Sequence, residues 1–148
     1  MKNCQLYHTA QATHANLLTF TVETSVGARA HVLIDCGSTT NFVSETYVKS
    51  NHIATSNTAN AQVVKLADGG TTSVNKVAPN VHLYLAGRDF CETLLVFPID
   101  SYDIILGMPW LRRHKPVVDW ETGELTFPSI THLRNILLKI QADNTNTT

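Results

Sequence analysis

The run Val32-Leu33-Ile34-Asp35-Cys36-Gly37-Ser38 most constrains what this chain can fold into. Three apolar residues read as the end of a buried strand, and they deliver a carboxylate into a turn of Cys, Gly and hydroxyl residues. That turn continues through Thr39, Thr40 and Asn41 to Phe42-Val43-Ser44. Burial disfavours the charged carboxylate, whereas the free N–H groups of a Gly-Ser-Thr turn can bond it and hold it in place. The combination suits acid/base chemistry. The plainer alternative is an Asp that opens a turn and satisfies its own backbone, as Asp often does after a strand.

At 148 residues the chain reads as one domain, able to bury about two-thirds of its unfolded surface. Its 43% hydrophobic and 16% charged residues favour a folded protein over a disordered one. Eleven Lys and Arg against twelve Asp and Glu give a net charge of -1, which leaves no electrostatic footprint for nucleic acid or an anionic membrane. Cys4, Cys36 and Cys91 are widely spaced and form no C-x-x-C pair, so they read as thiols of a reducing compartment. With neither a signal-peptide core nor an apolar run of membrane-spanning length, a cytoplasmic protein is expected.

Along the chain, polar residues 1–16 read as an arm or an edge strand. Leu18, Phe20 and Val22 alternate with Thr19, Thr21 and Glu23 as in a half-buried strand, and residues 29–34 return as a second strand ending at Asp35. Ser44 is placed to cap a helix over Glu45 to Asn51, with Val43 and Val48 as a hydrophobic staple. A polar loop is expected from His52 to Asn60. Residues 63–74 then read as a hairpin with Asp68-Gly69-Gly70 at its tip, and residues 81–86 and 89–97 as a further strand pair.

Tyr102-Asp103-Ile104-Ile105-Leu106-Gly107-Met108-Pro109-Trp110-Leu111 repeats the earlier logic: an apolar strand meets a Gly, and Pro opens a short helix. Such an echo suggests two similar lobes crossing at the centre of one β domain. Pro116 ends that helix. Residues 117–120 and 124–127 make a last hairpin, and Leu133, Ile136, Leu137 and Ile140 fall at helical spacing before a polar tail expected to be disordered from Ala142.

With both turns in view, residues 17–128 resemble the retropepsin-like aspartic proteases of Ty3/gypsy-type long-terminal-repeat retrotransposons. The resemblance rests on Leu33-Ile34-Asp35-Cys36-Gly37-Ser38 and on residues 102–111. It implies an all-β, closed acid-protease barrel with short helices, one lobe per chain, active as a homodimer and cutting extended, polyprotein-like (Gag-Pol-like) peptides without any cofactor or metal. Residues 1–16 would be an N-terminal arm, 17–128 the protease domain, and 129–148 a C-terminal helix and tail.

By the same resemblance Asp35 of each subunit would form the catalytic dyad. Cys36, Gly37 and Ser38 would support the loop, Gly37 by offering its N–H to the carboxylate and Ser38 by bonding the outer carboxylate oxygen. Asp68, Gly69 and Gly70 would tip the flap. Ile105, Leu106 and Gly107 would form the second-lobe loop, where Gly107 lets the strand pass close behind Asp35. Chemistry agrees on the dimer, because aspartic proteolysis needs two carboxylates sharing a proton and the chain has one Asp-x-Gly-Ser turn. Cys36 stands where the family carries Thr or Ser, and a thiol is a weaker donor, so a less firmly clamped dyad is expected.

Other chemistries fit poorly. Cys36 sits beside an acid rather than the cationic or His partner that activates a thiol nucleophile, and the seven His residues form no H-E-x-x-H motif. The competing reading is a catalytically silent retropepsin-like module for dimerisation or peptide binding.

Overall fold

A computed structural model describes residues 9–13, 17–66, 68–128 and 130–145. Cys4, most of the expected N-terminal arm and residues 146–148 of the expected tail lie outside them. Thr9–Gln11 forms β1. The alternating run forms β2, Thr19–Thr24, with Phe20 and Val22 inward and Thr21 and Glu23 outward. Thr19 is buried as well, because its hydroxyl and carbonyl both bond Thr13. Residues 25–28 turn the chain into β3, Ala30–Ile34, antiparallel to β2.

Beyond the Asp35 turn, β4 spans Phe42–Ser44 and α1 spans Glu45–Ser50. The cap and staple form as expected: Ser44 Oγ accepts the N–H of Tyr47, and Val43 and Val48 are both buried. The Tyr47 phenol bonds Thr24 at 2.9 Å and also reaches the Ala28 carbonyl. Burial pushes its pKa up; the Thr24 bond opposes this and the charge of Asp103 adds to it.

The middle of the chain departs from expectation. β5 spans Ser56–Lys65, so a strand begins inside the stretch expected to be a polar loop to Asn60. Main-chain pairing with the next strand holds this segment, whose side chains are almost all exposed. β6 runs from Thr71 to Leu85 as one strand, so the hairpin return and the strand expected at 81–86 are continuous. The Pro79-Asn80 step, with Asn80 at φ 54°, is absorbed as an irregularity in the pairing with β7, Arg88–Phe97.

β8, Ile104–Leu106, leads through Gly107 into α2, Met108–His114, with Lys115 left-handed at its C-cap and Pro116 next. β9, Val117–Asp119, and β10, Glu124–Thr126, make the last hairpin, and β1 pairs with the outer side of β10. α3 spans Ile130–Thr145. It therefore continues through residues 142–145, expected to be disordered; Thr145 Oγ1 donates to the Ala142 carbonyl at 2.8 Å. Among the described residues no helix is long and apolar enough to cross a membrane.

The fold is thus mostly β with a few short helices. Its larger sheet runs β2-β3-β8-β4-β7-β6-β5, and the end of β2 also pairs with β6 through Glu23↔Tyr84 and Thr24↔Leu83. At the centre β3 and β8 lie parallel, Val32 opposite Ile104 and Ile34 opposite Leu106. The main core includes Phe20, Val32, Leu83, Leu94, Ile104 and Trp110. Phe90 packs among Trp110, Phe127 and His114, and the His114 ring bonds the buried Glu92 carboxylate at 2.8 Å, tying α2 to β7. A smaller cluster of Phe42, Val64, Val77 and Leu95 forms beside the Asp35 turn, with Phe97, Ile99 and Ile105 packed on it.

Candidate active site

Asp35 sits where the buried alternation of β3 ends. Its backbone N–H donates to the Leu106 carbonyl at 2.9 Å, so the first residue of the turn is still fixed to β8. Its half-buried carboxylate accepts the N–H of Gly37 through Oδ1 at 2.9 Å, and its carbonyl accepts the N–H of Ser38 at 3.1 Å. The Gly37 bond is the one the sequence led us to expect. Cys36 and Gly37 are exposed at the crest of the turn, and the Cys36 thiol is free.

Ser38 behaves differently from expectation. Its hydroxyl donates to the Thr40 carbonyl at 2.7 Å, not to the outer oxygen of Asp35. The hydroxyl closes a local turn two residues on, a bond that Ser makes readily. The Ser38 carbonyl accepts the N–H of Met108 at 2.9 Å, and Asn41 Oδ1 accepts the N–H of Gly107 at 2.8 Å. The second apolar turn is therefore sewn to the first from behind.

Gly107 is required there. A Cβ on it would stand 2.5 Å from the Ser38 carbonyl oxygen and 2.6 Å from that of Thr40, closer than any side-chain atom tolerates against rigid backbone. Leu106 is buried behind the turn, while Ile105 faces a cavity of about 510 Å³. Gly37, Ser38 and Thr39 line one side of that cavity; Phe42 and Phe97 supply apolar walls, and Val64 and Leu66 of the β5–β6 hairpin face it too.

The hairpin tip lies elsewhere. Asp68, Gly69 and Gly70 are exposed; Asp68 Oδ1 accepts the Gly70 N–H at 2.8 Å, and Gly69 at φ 89° needs the freedom glycine has. Within this single chain the hairpin reaches the cavity through Val64, Lys65 and Leu66. Asp103, the other acid near an apolar strand, is committed to structure, since its carboxylate accepts the N–H of His31 at 2.7 Å. Among the described residues no group of three or more His, Cys, Asp or Glu side chains could hold a metal ion.

Asn41, Phe42, Phe97 and Ile99 belong to the site without having stood out in the sequence. Asn41 could have been found as the polar residue closing the turn just before a buried strand. The two aromatics carry no local signal, because what marks them is their meeting across the sheet, with ring centroids 5.5 Å apart.

A sequence model of the family described as PEG10/RTL1 protease domain matches residues 31–135. Among solved structures, the retroviral protease-like domain of Ddi1 from Leishmania major is similar at 14% identity and a TM-score of 0.48, covering 70% of this chain and 82% of that one. The EIAV protease complexed with the inhibitor HBY-793 is similar at 18% identity and a TM-score of 0.49, covering 76% and 92%.

Proposed function

The chain belongs to the PEG10/RTL1 protease-domain family, and we propose that it acts as an aspartic endopeptidase of the Ty3/gypsy retrotransposon type, working as a homodimer on extended polyprotein segments. One observation carries the reading. A half-buried carboxylate, Asp35, ends a buried strand and accepts the Gly37 N–H at 2.9 Å, on a turn backed by Gly107. A single chain brings one such turn, and the reaction needs two carboxylates holding one proton between them.

In the dimer, the ionised Asp35 takes a proton from water as the water oxygen bonds to the scissile carbonyl carbon, and the protonated Asp35 of the second copy gives its proton to the carbonyl oxygen. The resulting diol then collapses. One hydroxyl returns its proton to the dyad, the C–N bond breaks, and the amine nitrogen takes up the other proton. Gly37 holds the carboxylate through its N–H, Cys36 and Ser38 shape the loop, and residues 63–74, tipped by Asp68, Gly69 and Gly70, act as the flap. Ile105 would contact the peptide, with Leu106 and Gly107 keeping the loop in place.

The β2–β6 pairing supports a closed barrel within a protease domain of residues 17–128; the proposed flanking units are an arm at 1–16 and a C-terminal helix and tail at 129–148, of which α3 occupies Ile130–Thr145. The free thiols of Cys36 and Cys91 support a reducing, cytoplasmic setting.

The test is cleavage of a mixed peptide library by the unmodified chain and by Asp35→Asn, at several protein concentrations and from acidic to alkaline pH. We expect cleavage that vanishes with Asp35→Asn, rises more than linearly with protein and fades as the shared proton is lost at alkaline pH. Cleavage surviving the substitution overturns the mechanism. A chain that sediments as a dimer yet cuts nothing is a silent peptide-binding module.

A further inference from the structure

We propose that the peptide cleft continues into a second groove, built on an open strand edge, which binds substrate residues several positions from the scissile bond by strand addition and reads their charge. This rests on the protease reading above.

The edge follows from the pairing pattern. β5 covers one side of β6 from Thr71 to Val74, whereas β7 joins the other side only from Val77, opposite Leu95. Between Thr72 and Lys76 the side of β6 facing away from β5 therefore has no partner strand among the described residues. The bond from Leu66 N–H to the Gly70 carbonyl, at 2.7 Å, sets the phase of the hairpin. By antiparallel alternation Thr72 and Val74 turn their backbone groups toward β5, and Ser73 turns its own toward the open side.

β7 does not end where its pairing with β6 ends: past Leu95 it runs on to Phe97 beside β4, through Val43↔Val96 and Ser44↔Phe97, and no longer follows β6. The two chains diverge and leave a cavity of about 660 Å³ between residues 72–76 and Val96-Phe97-Pro98. Leu66, Phe97 and Pro98 line this cavity and also the one beside the Asp35 turn. One extended peptide can thus run from the Asp35 turn across that shared wall and on along β6. Unpaired backbone on a strand edge is a template for an added strand, and a peptide already held extended in the cleft pays little further entropy to occupy it.

Glu45, in the first turn of α1, and Lys76, on β6, are the charged residues of the outer groove, and both are exposed. Lys76 lies on the open stretch itself, so it is the residue placed to favour an acidic side chain in the bound peptide.

The experiment compares a short library peptide that the chain cleaves with the same core extended by four residues, Thr-Glu-Thr-Glu or Thr-Lys-Thr-Lys, at either end. At one end the acidic extension should raise kcat/KM roughly tenfold, as expected for two or so added hydrogen bonds and a charge contact. Lys76→Glu should cut the ratio of acidic to basic extension by about fivefold or more, the size of an exposed charge contact reversed in sign. Because the readout is a ratio, general damage to catalysis cancels. Extensions that change nothing at either end overturn the inference while leaving the protease reading intact. If the unmodified chain cuts no peptide, the protease reading fails, and fluorescence polarisation decides the groove, with a labelled library peptide that the chain binds carrying the same acidic or basic extensions: tighter binding of the acidic long peptide supports it, equal binding of long and short overturns it.

Discussion

The turn after β3 and the turn after β8 are built alike but spend their backbone in opposite ways. Their strands lie side by side in parallel register, and each ends in glycine-containing sequence. The Asp35 turn satisfies itself locally, with Gly37 N–H on the Asp35 carboxylate and Ser38 Oγ on the Thr40 carbonyl, and leaves Cys36 and Gly37 exposed. The Gly107 turn gives its N–H groups away: Gly107 to Asn41 and Met108 to Ser38. It then plunges into α2, whose Trp110 is fully buried. The first turn presents a group, and the second holds the presenter still. Precision at the exposed turn is borrowed from the buried one.

Gly107→Ala should break this division most severely. Its φ of -99° is open to any residue, so the penalty is purely the clash with the Ser38 and Thr40 carbonyls, about 3 kcal/mol by chemical denaturation. A loss under about 1 kcal/mol would mean the two turns slide freely past each other. Asn41→Ala comes next, because it leaves the Gly107 N–H without its acceptor; we expect about 1–2 kcal/mol, largely restored by Asn41→Asp, which keeps an oxygen at the same place.

Gly37→Ala sharpens the contrast from the other side. The added Cβ would meet only Asp35 Oδ1, at 3.2 Å, a side-chain atom that can move. Stability should fall by less than about 1 kcal/mol, while kcat/KM in the peptide assay should fall roughly tenfold or more as the carboxylate is displaced. A stability loss matching that of Gly107→Ala would show both turns to be equally rigid and end the comparison.

Sequence reasoning reached the parts of the molecule where side chains decide. The alternation of Phe20 and Val22, the apolar ends of β3 and β8, the Ser44 cap and the Pro109 helix start all depend on residues close in the chain. It failed where the backbone decides. Ser56–Gln62 has no apolar face to betray a strand and exists as one only because β6 lies beside it. The hairpin return ending at residue 74 and the strand expected from 81 are one strand, which carries on through Pro79-Asn80 because it has partners on both sides of the irregularity.

At the site, the Gly37 bond spans two residues and was legible; the Asn41–Gly107 bond spans 66 and was not. Ser38 was assigned to Asp35 when a nearer acceptor, the Thr40 carbonyl, was within its reach.

The parallel pairing of β3 with β8 also dictates an order of assembly. His31 and Asp103, which bond across it, are separated by 72 residues. Closing so long a loop carries an entropy cost that no contact near Asp35 can offset alone, so this junction belongs among the slow, non-local steps of folding. During synthesis the Asp35 turn emerges early and stays unsupported until Ile104 to Met108 have left the ribosome. A chain cut short between Ser44 and Ile104 holds every residue of the first turn and none of the β8 and Gly107 backing, which makes completion of the second half the event that switches the first half into shape.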